Sequence, residues 1–161
     1  IKGRSKVNNI LIDNIIHNFN KQWLLCEKMA ASAQEQLEVL KQADNAGISS
    51  QVMDIVAQRQ KLLEDLQVLE DENRSLQEQV VSELGINEFT LSQLEAKLQN
   101  EQFAHLKEMV NQLGTILKTI SEIDDQNQTL MRENLTRVKK PKTRANSQQA
   151  SAAYNQAKEL K

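Results

Sequence analysis

Apolar and small residues recur along the N-terminal part of the chain in a strict alternation: Ile12, Ile16, Phe19, Trp23, Cys26, Ala30, Ala33, Leu37 and Leu40. Steps of four and three residues put them on a single stripe of the coiled-coil kind. Ala30 and Ala33 make that stripe narrow, so a neighbouring helix is expected to approach closely there. The pattern stops near Gly47, a good helix terminator, and either Ser49 or Ser50 can cap a second helix. A first helix is therefore expected from Val7 to Ala46, about 60 Å long at ~1.5 Å per residue.

A second stripe reads Ile55, Arg59, Leu62, Leu66, Leu69, Asn73, Leu76 and Val80, with Arg59 and Asn73 as polar interruptions. Its helix should end at Leu84, with Gly85 as a left-handed terminator. Thr90-Leu91-Ser92-Gln93 has the spacing of a capping box, and Leu91, Leu94 and Leu98 give the short helix behind it one apolar face. The next stripe, Phe103, Leu106, Val110, Leu113, Leu117 and Ile120, is out of phase with Leu98. That mismatch predicts a break near Gln99 and Asn100 and a third long helix to about Val138, which Pro141 prevents from continuing.

Three long helices with short joints fold back on one another. The expected fold is all-α: an elongated antiparallel three-helix bundle or coiled coil over residues 1–138, with a short extra helix at the second corner. Residues 139–161 read as a basic linker and a flexible C-terminal tail, in which Ala150 to Lys161 form at most a short, marginal helix.

Composition agrees, since four Gly and one Pro are too few for a turn-rich chain. Phe19, Trp23, Phe89, Phe103 and Tyr154 are the whole aromatic complement, too little for a compact sandwich or a large ligand pocket. No apolar run approaches the ~18 residues of a membrane span, so a soluble chain without membrane insertion is expected. The start, Ile1-Lys2-Gly3-Arg4-Ser5-Lys6, has no apolar stretch of signal-peptide type behind it. The single cysteine, Cys26, allows no intramolecular disulfide and suits a reducing cytoplasm.

A net charge of −2 conceals an uneven distribution: residues 7–131 carry nine basic and twenty acidic side chains, and residues 132–144 carry six basic and one acidic. An acidic body with a basic collar does not suit a nucleic-acid-binding domain. The collar is read as a solvated hinge that complements the negative end of the preceding helix.

Catalytic and metal motifs are absent. His17 and His105 belong to no Glu-x-x-His pair, which excludes a carboxylate-bridged di-iron bundle, and no HExxH, GxGxxG or P-loop occurs. His105 and Glu108 share a helix face, but without a second ligand pair the expectation is a surface histidine. Neither enzyme activity, nor metal, nor cofactor is expected. Cys26 is read as a core thiol.

The polar positions say more. Beyond Ile120 the third stripe continues through Asp124, Asn127, Met131, Asn134 and Val138, and a slightly rotated stripe of Ile116, Ile120, Ile123 and Leu130 also meets Asn127. A seam asparagine fixes register at a cost in stability. It also suits an under-packed end that receives another amphipathic helix, with Leu130, Met131, Leu135 and Val138 lining the groove. Both readings stay open at this point.

Three stretches resemble the flagellar export chaperones of the FlgN type. Lys41-Gln42-Ala43-Asp44-Asn45-Ala46 with Val52-Met53-Asp54-Ile55-Val56 is similar to that family's first corner. Gln58-Arg59-Gln60-Lys61-Leu62-Leu63-Glu64-Asp65-Leu66 resembles its Glu-Lys-x-x-Leu-Leu-x-x-Leu segment, with Gln60 in place of the usual acid. Asp124-Asp125-Gln126-Asn127-Gln128-Thr129-Leu130-Met131 resembles its Asn-x-x-Asn-x-x-Leu-Leu signature, with Asp124 for the first Asn and Met131 for the second Leu. Leu84-Gly85-Ile86 followed by Thr90-Leu91-Ser92 looks like its second corner, and Tyr154-Asn155 like the ending of several members, without the Gly that often follows.

The resemblance implies a cytoplasmic chaperone that needs no cofactor. Its partners would be hook-associated flagellar proteins, whose amphipathic terminal helices it masks before type III export, and the export gate. Partner binding is expected at Asn127, Leu130, Met131, Asn134, Leu135 and Val138, and at Tyr154 and Leu160 in the tail. A structural coiled-coil adaptor and a chaperone for another flagellar subunit are the alternatives. Stoichiometry, including a homo-oligomer, stays open.

Overall fold

The computed structural model describes residues 2–42 and 49–138, with the backbone alone for residues 2–8, 137 and 138. Four helices occur in chain order, α1 (Lys2–Gln42), α2 (Ser50–Leu84), α3 (Leu91–Glu95) and α4 (Asn100–Val138), and no strand occurs among the described residues. The fold is an all-α bundle in which α1, α2 and α4 pack against one another. The expected terminator Gly47, the stop at Pro141 and the tail 139–161 lie outside the described residues. Among those described, no helix is long and apolar enough to cross a membrane.

Helix ends have local causes. Ser49 caps α2 by accepting from the Val52 amide at 3.2 Å through its hydroxyl, while its carbonyl accepts from Met53 N at 3.2 Å. At the other end Gly85 adopts φ 66°, and the Ile86 amide reaches back to the Val81 carbonyl at 3.2 Å, closing a Schellman motif. Thr90 caps α3 as expected, accepting from Gln93 N at 3.4 Å. The reciprocal half of the capping box does not form. Gln93 Oε1 instead accepts from the amides of Asn87 at 2.9 Å and Glu88 at 3.2 Å, while Thr90 N is taken by the Glu88 carbonyl at 3.0 Å. The side chain thus ties down the corner loop instead of the cap.

The chain forms two compact units, and α1, α2 and α4 each give a segment to both. Unit 1 takes α1 up to Met29, α2 from Lys61, α3, and α4 up to Thr119. Its core is aliphatic: Ile12, Ile15, Ile16, Val80, Leu94, Leu106 and Met109, with Phe19, Trp23, Phe89 and Phe103 packed around them. Leu94 is fully buried and Leu91 packs against the same core, so two apolar side chains hold the short α3. Polar ties join the helices as well. Gln102 Nε2 donates to the Asn9 carbonyl at 3.1 Å and to Asp13 Oδ1 at 3.2 Å, and Asn73 Nδ2 reaches the Ile15 carbonyl at 3.5 Å.

Two stripes differ from the expected ones. In α4, Leu117 is 53% exposed, and Leu106, Met109 and Leu113 are buried with Ile116 beside them half-buried. The inner seam steps 106, 109, 113, 116, 120, 123, 127, which is the rotated stripe. In α1, Ile15, Gln22, Met29 and Gln36 are buried alongside much of the expected stripe, because α1 packs against both neighbours and buries a wider face.

Candidate partner-binding surface

Unit 2 takes α1 from Ala30, α2 up to Gln60, and α4 from Ile120. Ala33, Leu37, Leu40, Val52 and Ile55 make its apolar core, but three amide side chains, Gln36, Asn127 and Asn134, are buried with them. Within this unit α1 and α4 run in the same direction, since Ala33 meets Asn127 and Gln36 meets Met131.

A continuous chain of polar contacts joins the three helices. Gln36 Nε2 on α1 donates to Met131 Sδ on α4 at 3.5 Å, and Gln36 Oε1 accepts from Arg59 Nη1 on α2 at 2.7 Å. Arg59 Nη2 then pairs with Asp124 Oδ2 on α4 at 2.5 Å. Asp124 Oδ1 accepts from Asn127 Nδ2 at 3.3 Å, and the same Nδ2 donates to the Ala33 carbonyl at 3.0 Å. Arg59 is the hub, because a guanidinium offers its donors in a fixed fork and can serve an amide and a carboxylate at once. The ion pair is only partly shielded, with the two side chains 15% and 31% exposed.

The satisfaction is incomplete. Asn127 is 2% exposed and its Oδ1 has no hydrogen-bond partner; Asn134 is 1% exposed and its Nδ2 has none. A buried polar atom left so costs on the order of 1–3 kcal/mol. This end of α4 is therefore less tightly held than a purely aliphatic seam would be.

Of the eight residues expected to bind a partner, five fall together here. Asn127 and Asn134 are buried, and Leu130, Met131 and Leu135 are half-buried on α4. Val138 closes α4 with its side chain outside the described set, and Tyr154 and Leu160 lie outside it altogether. The outer face of α4 carries a shallow open hollow lined by Thr129, Arg132, Glu133 and Thr136, all polar. Thr129 and Thr136 spend their hydroxyls on the carbonyls four residues back, Asp125 at 3.0 Å and Arg132 at 2.9 Å. Among the described residues no group of three or more His, Cys, Asp or Glu gathers as metal ligands.

Sequence reasoning missed Gln36 and the pairing of Arg59 with Asp124. A signal existed, since Gln36 and Arg59 stand at nearly equal distances before and after the Gly47 corner. A hairpin of two helices brings such positions face to face. A family model described as FlgN protein matches residues 11–161. No curated protein and no solved structure matches the chain.

Proposed function

The chain belongs to the FlgN family of flagellar export chaperones, and we propose that it masks the amphipathic terminal helices of hook-associated proteins before type III export. Such helices expose an apolar stripe before assembly and would pair with one another through it. A chaperone of this kind works in the cytoplasm without a cofactor or a catalysed step, and hands its client to the export gate.

The observation that supports this reading is the polar seam at the end of α4. Leu130, Met131 and Leu135 stand half-buried beside the incompletely satisfied Asn127 and Asn134. An incoming amphipathic helix can seat its stripe there in the helix-in-groove mode, and Met131 adapts to its shape. The same polar seam keeps affinity moderate, which an export chaperone requires because the client must leave.

Calorimetric titration with the terminal segment of a hook-associated protein tests the proposal. Leu130→Asp and Leu135→Asp should each weaken binding, and removal of residues 139–161 should weaken it with little change in thermal stability. Lys107→Ala, on an exposed position of unit 1, serves as the control. Full affinity in the truncated chain and in both Asp variants overturns the assignment.

A further inference from the structure

In unit 2, α2 carries a second stripe besides the buried one of Val52 and Ile55. Met53, Val56, Ala57 and Gln60 stand at i, i+3, i+4 and i+7, which places them on one helix face, and all four are exposed. Met53 is 55% and Val56 36% exposed, so two large apolar side chains face water on adjacent turns. The chain itself supplies a segment of matching pattern. In residues 139–161, Ala150, Ala153, Tyr154 and Ala157 repeat the i, i+3, i+4, i+7 spacing, and Leu160 extends it by one turn. Reach is ample. Counted along the antiparallel α2 and α4 from the Arg59–Asp124 pair, Val138 lies about 12 Å from the level of Met53. The linker 139–149 spans up to about 36 Å when extended. Charge favours the contact as well. Residues 139–161 carry six basic and one acidic side chain, whereas the described part of unit 2 carries four basic and seven acidic, with the exposed Asp54 next to Met53.

We propose that residues 150–160 of the free chain fold as a helix onto the face of α2 formed by Met53, Val56, Ala57 and Gln60. Alone, so short a segment does not hold a helix, because nucleation is costly; an apolar face to pack on supplies what it lacks. The three alanines let the helix lie close to α2, and Tyr154 and Leu160 supply the bulk. The tether keeps the segment at the face at roughly millimolar effective concentration. The contact belongs to the free chain and so does not rest on client capture. A client that uses Tyr154 or Leu160 must first release them from α2.

Amide hydrogen exchange of the full-length protein tests this in wild type, in the double variant Met53→Glu, Val56→Glu, and in Tyr154→Ser. Ala57→Glu replaces the double variant should that disturb unit 2. Val68→Glu, at a 58% exposed position of unit 1, is the control. Residues 150–160 should exchange at least about tenfold more slowly than an unstructured peptide in wild type and control. The α2 variant and Tyr154→Ser should both return them to the unstructured rate while the cores keep theirs. Unstructured rates in the wild type overturn the proposal, as does protection that survives the α2 substitutions. Protection that fades on dilution assigns the face to a second copy and overturns it too. Each of these outcomes leaves helix capture standing, since the calorimetric titration reads that separately.

Discussion

Asn127 of α4 donates its Nδ2 hydrogen to the main-chain carbonyl of Ala33 in α1, 3.0 Å away. Ala33 is fully buried at the contact, and its small side chain leaves room for the Asn127 amide beside the backbone of α1. The narrow point read from the alanines is thus a point of close approach. Ala33→Leu should push α4 away, break this contact and cost about 1–3 kcal/mol through overpacking. Urea unfolding followed by circular dichroism measures it, and unchanged stability would contradict the close approach.

The Arg59 hub gives a prediction about non-additivity. Asp124→Leu alone leaves a partly buried guanidinium without its carboxylate, and Arg59→Met alone leaves the carboxylate facing an apolar seam. Each single change should destabilise by about 1–2 kcal/mol, and the double variant by less than the sum. A double-mutant cycle from denaturant midpoints decides it; strict additivity would mean that the pair contributes nothing of its own.

Two glycines should respond with opposite signs. Gly85 holds φ +66°, and although a Cβ there meets nothing within 4 Å, an L side chain is strained in that conformation. Gly85→Ala should cost about 1–2 kcal/mol. Gly114 lies inside α4, exposed, with nothing within 4 Å of an added Cβ. Gly114→Ala should stabilise by up to about 1 kcal/mol, because alanine loses less backbone entropy in a helix. Thermal melts of both variants suffice, and shifts of the same sign would show that local backbone conformation does not control either site.

Cys26 is buried, and burial first and the Glu70 carboxylate second push its thiol above its ordinary value. The fold thus favours the protonated thiol over the thiolate. Its contribution to stability is complete below the unfolded-chain value and is lost as pH rises through the folded one, so the affected window opens at about pH 9. Cys26→Ala should cost about 1 kcal/mol at neutral pH, from the small cavity. The gap to wild type should narrow as pH climbs past that point. Urea titrations across the alkaline range test this, and a gap that widens with pH refutes it.

Sequence periodicity read α2 almost residue for residue, because α2 buries a narrow stripe: Ile55, Leu66, Asn73 and Val80 are all inside. The same reasoning placed the α2 terminator at Gly85 and the α3 cap at Thr90, where local chemistry decides the backbone. In α1 it was incomplete, since a helix packed on two sides has no single stripe, and Gln22 and Gln36 are invisible to a search for apolar residues. In α4 both Leu117 and Ile116 fit a heptad, and only packing selects between neighbouring positions 100° apart. The candidate surface was legible as a set of positions on α4. Its links to Gln36 and Arg59 were not, because they depend on which residues of three helices meet.

Three of the amides that tie the helices together share one habit: Asn73, Gln102 and Asn127 address main-chain carbonyls of α1, at Ile15, Asn9 and Ala33. A carbonyl is present whatever side chain its residue bears, so the acceptor half of each tie survives substitution on α1 while the donor half does not. Sequence drift is therefore lopsided. Position 9 is free to change type, positions 15 and 33 are held by the size and apolarity that the core demands, and positions 73, 102 and 127 must remain donors. Pairwise covariation between the two sides of these contacts should be weak even though they touch, and a compensating second mutation on α1 cannot rescue a lost amide.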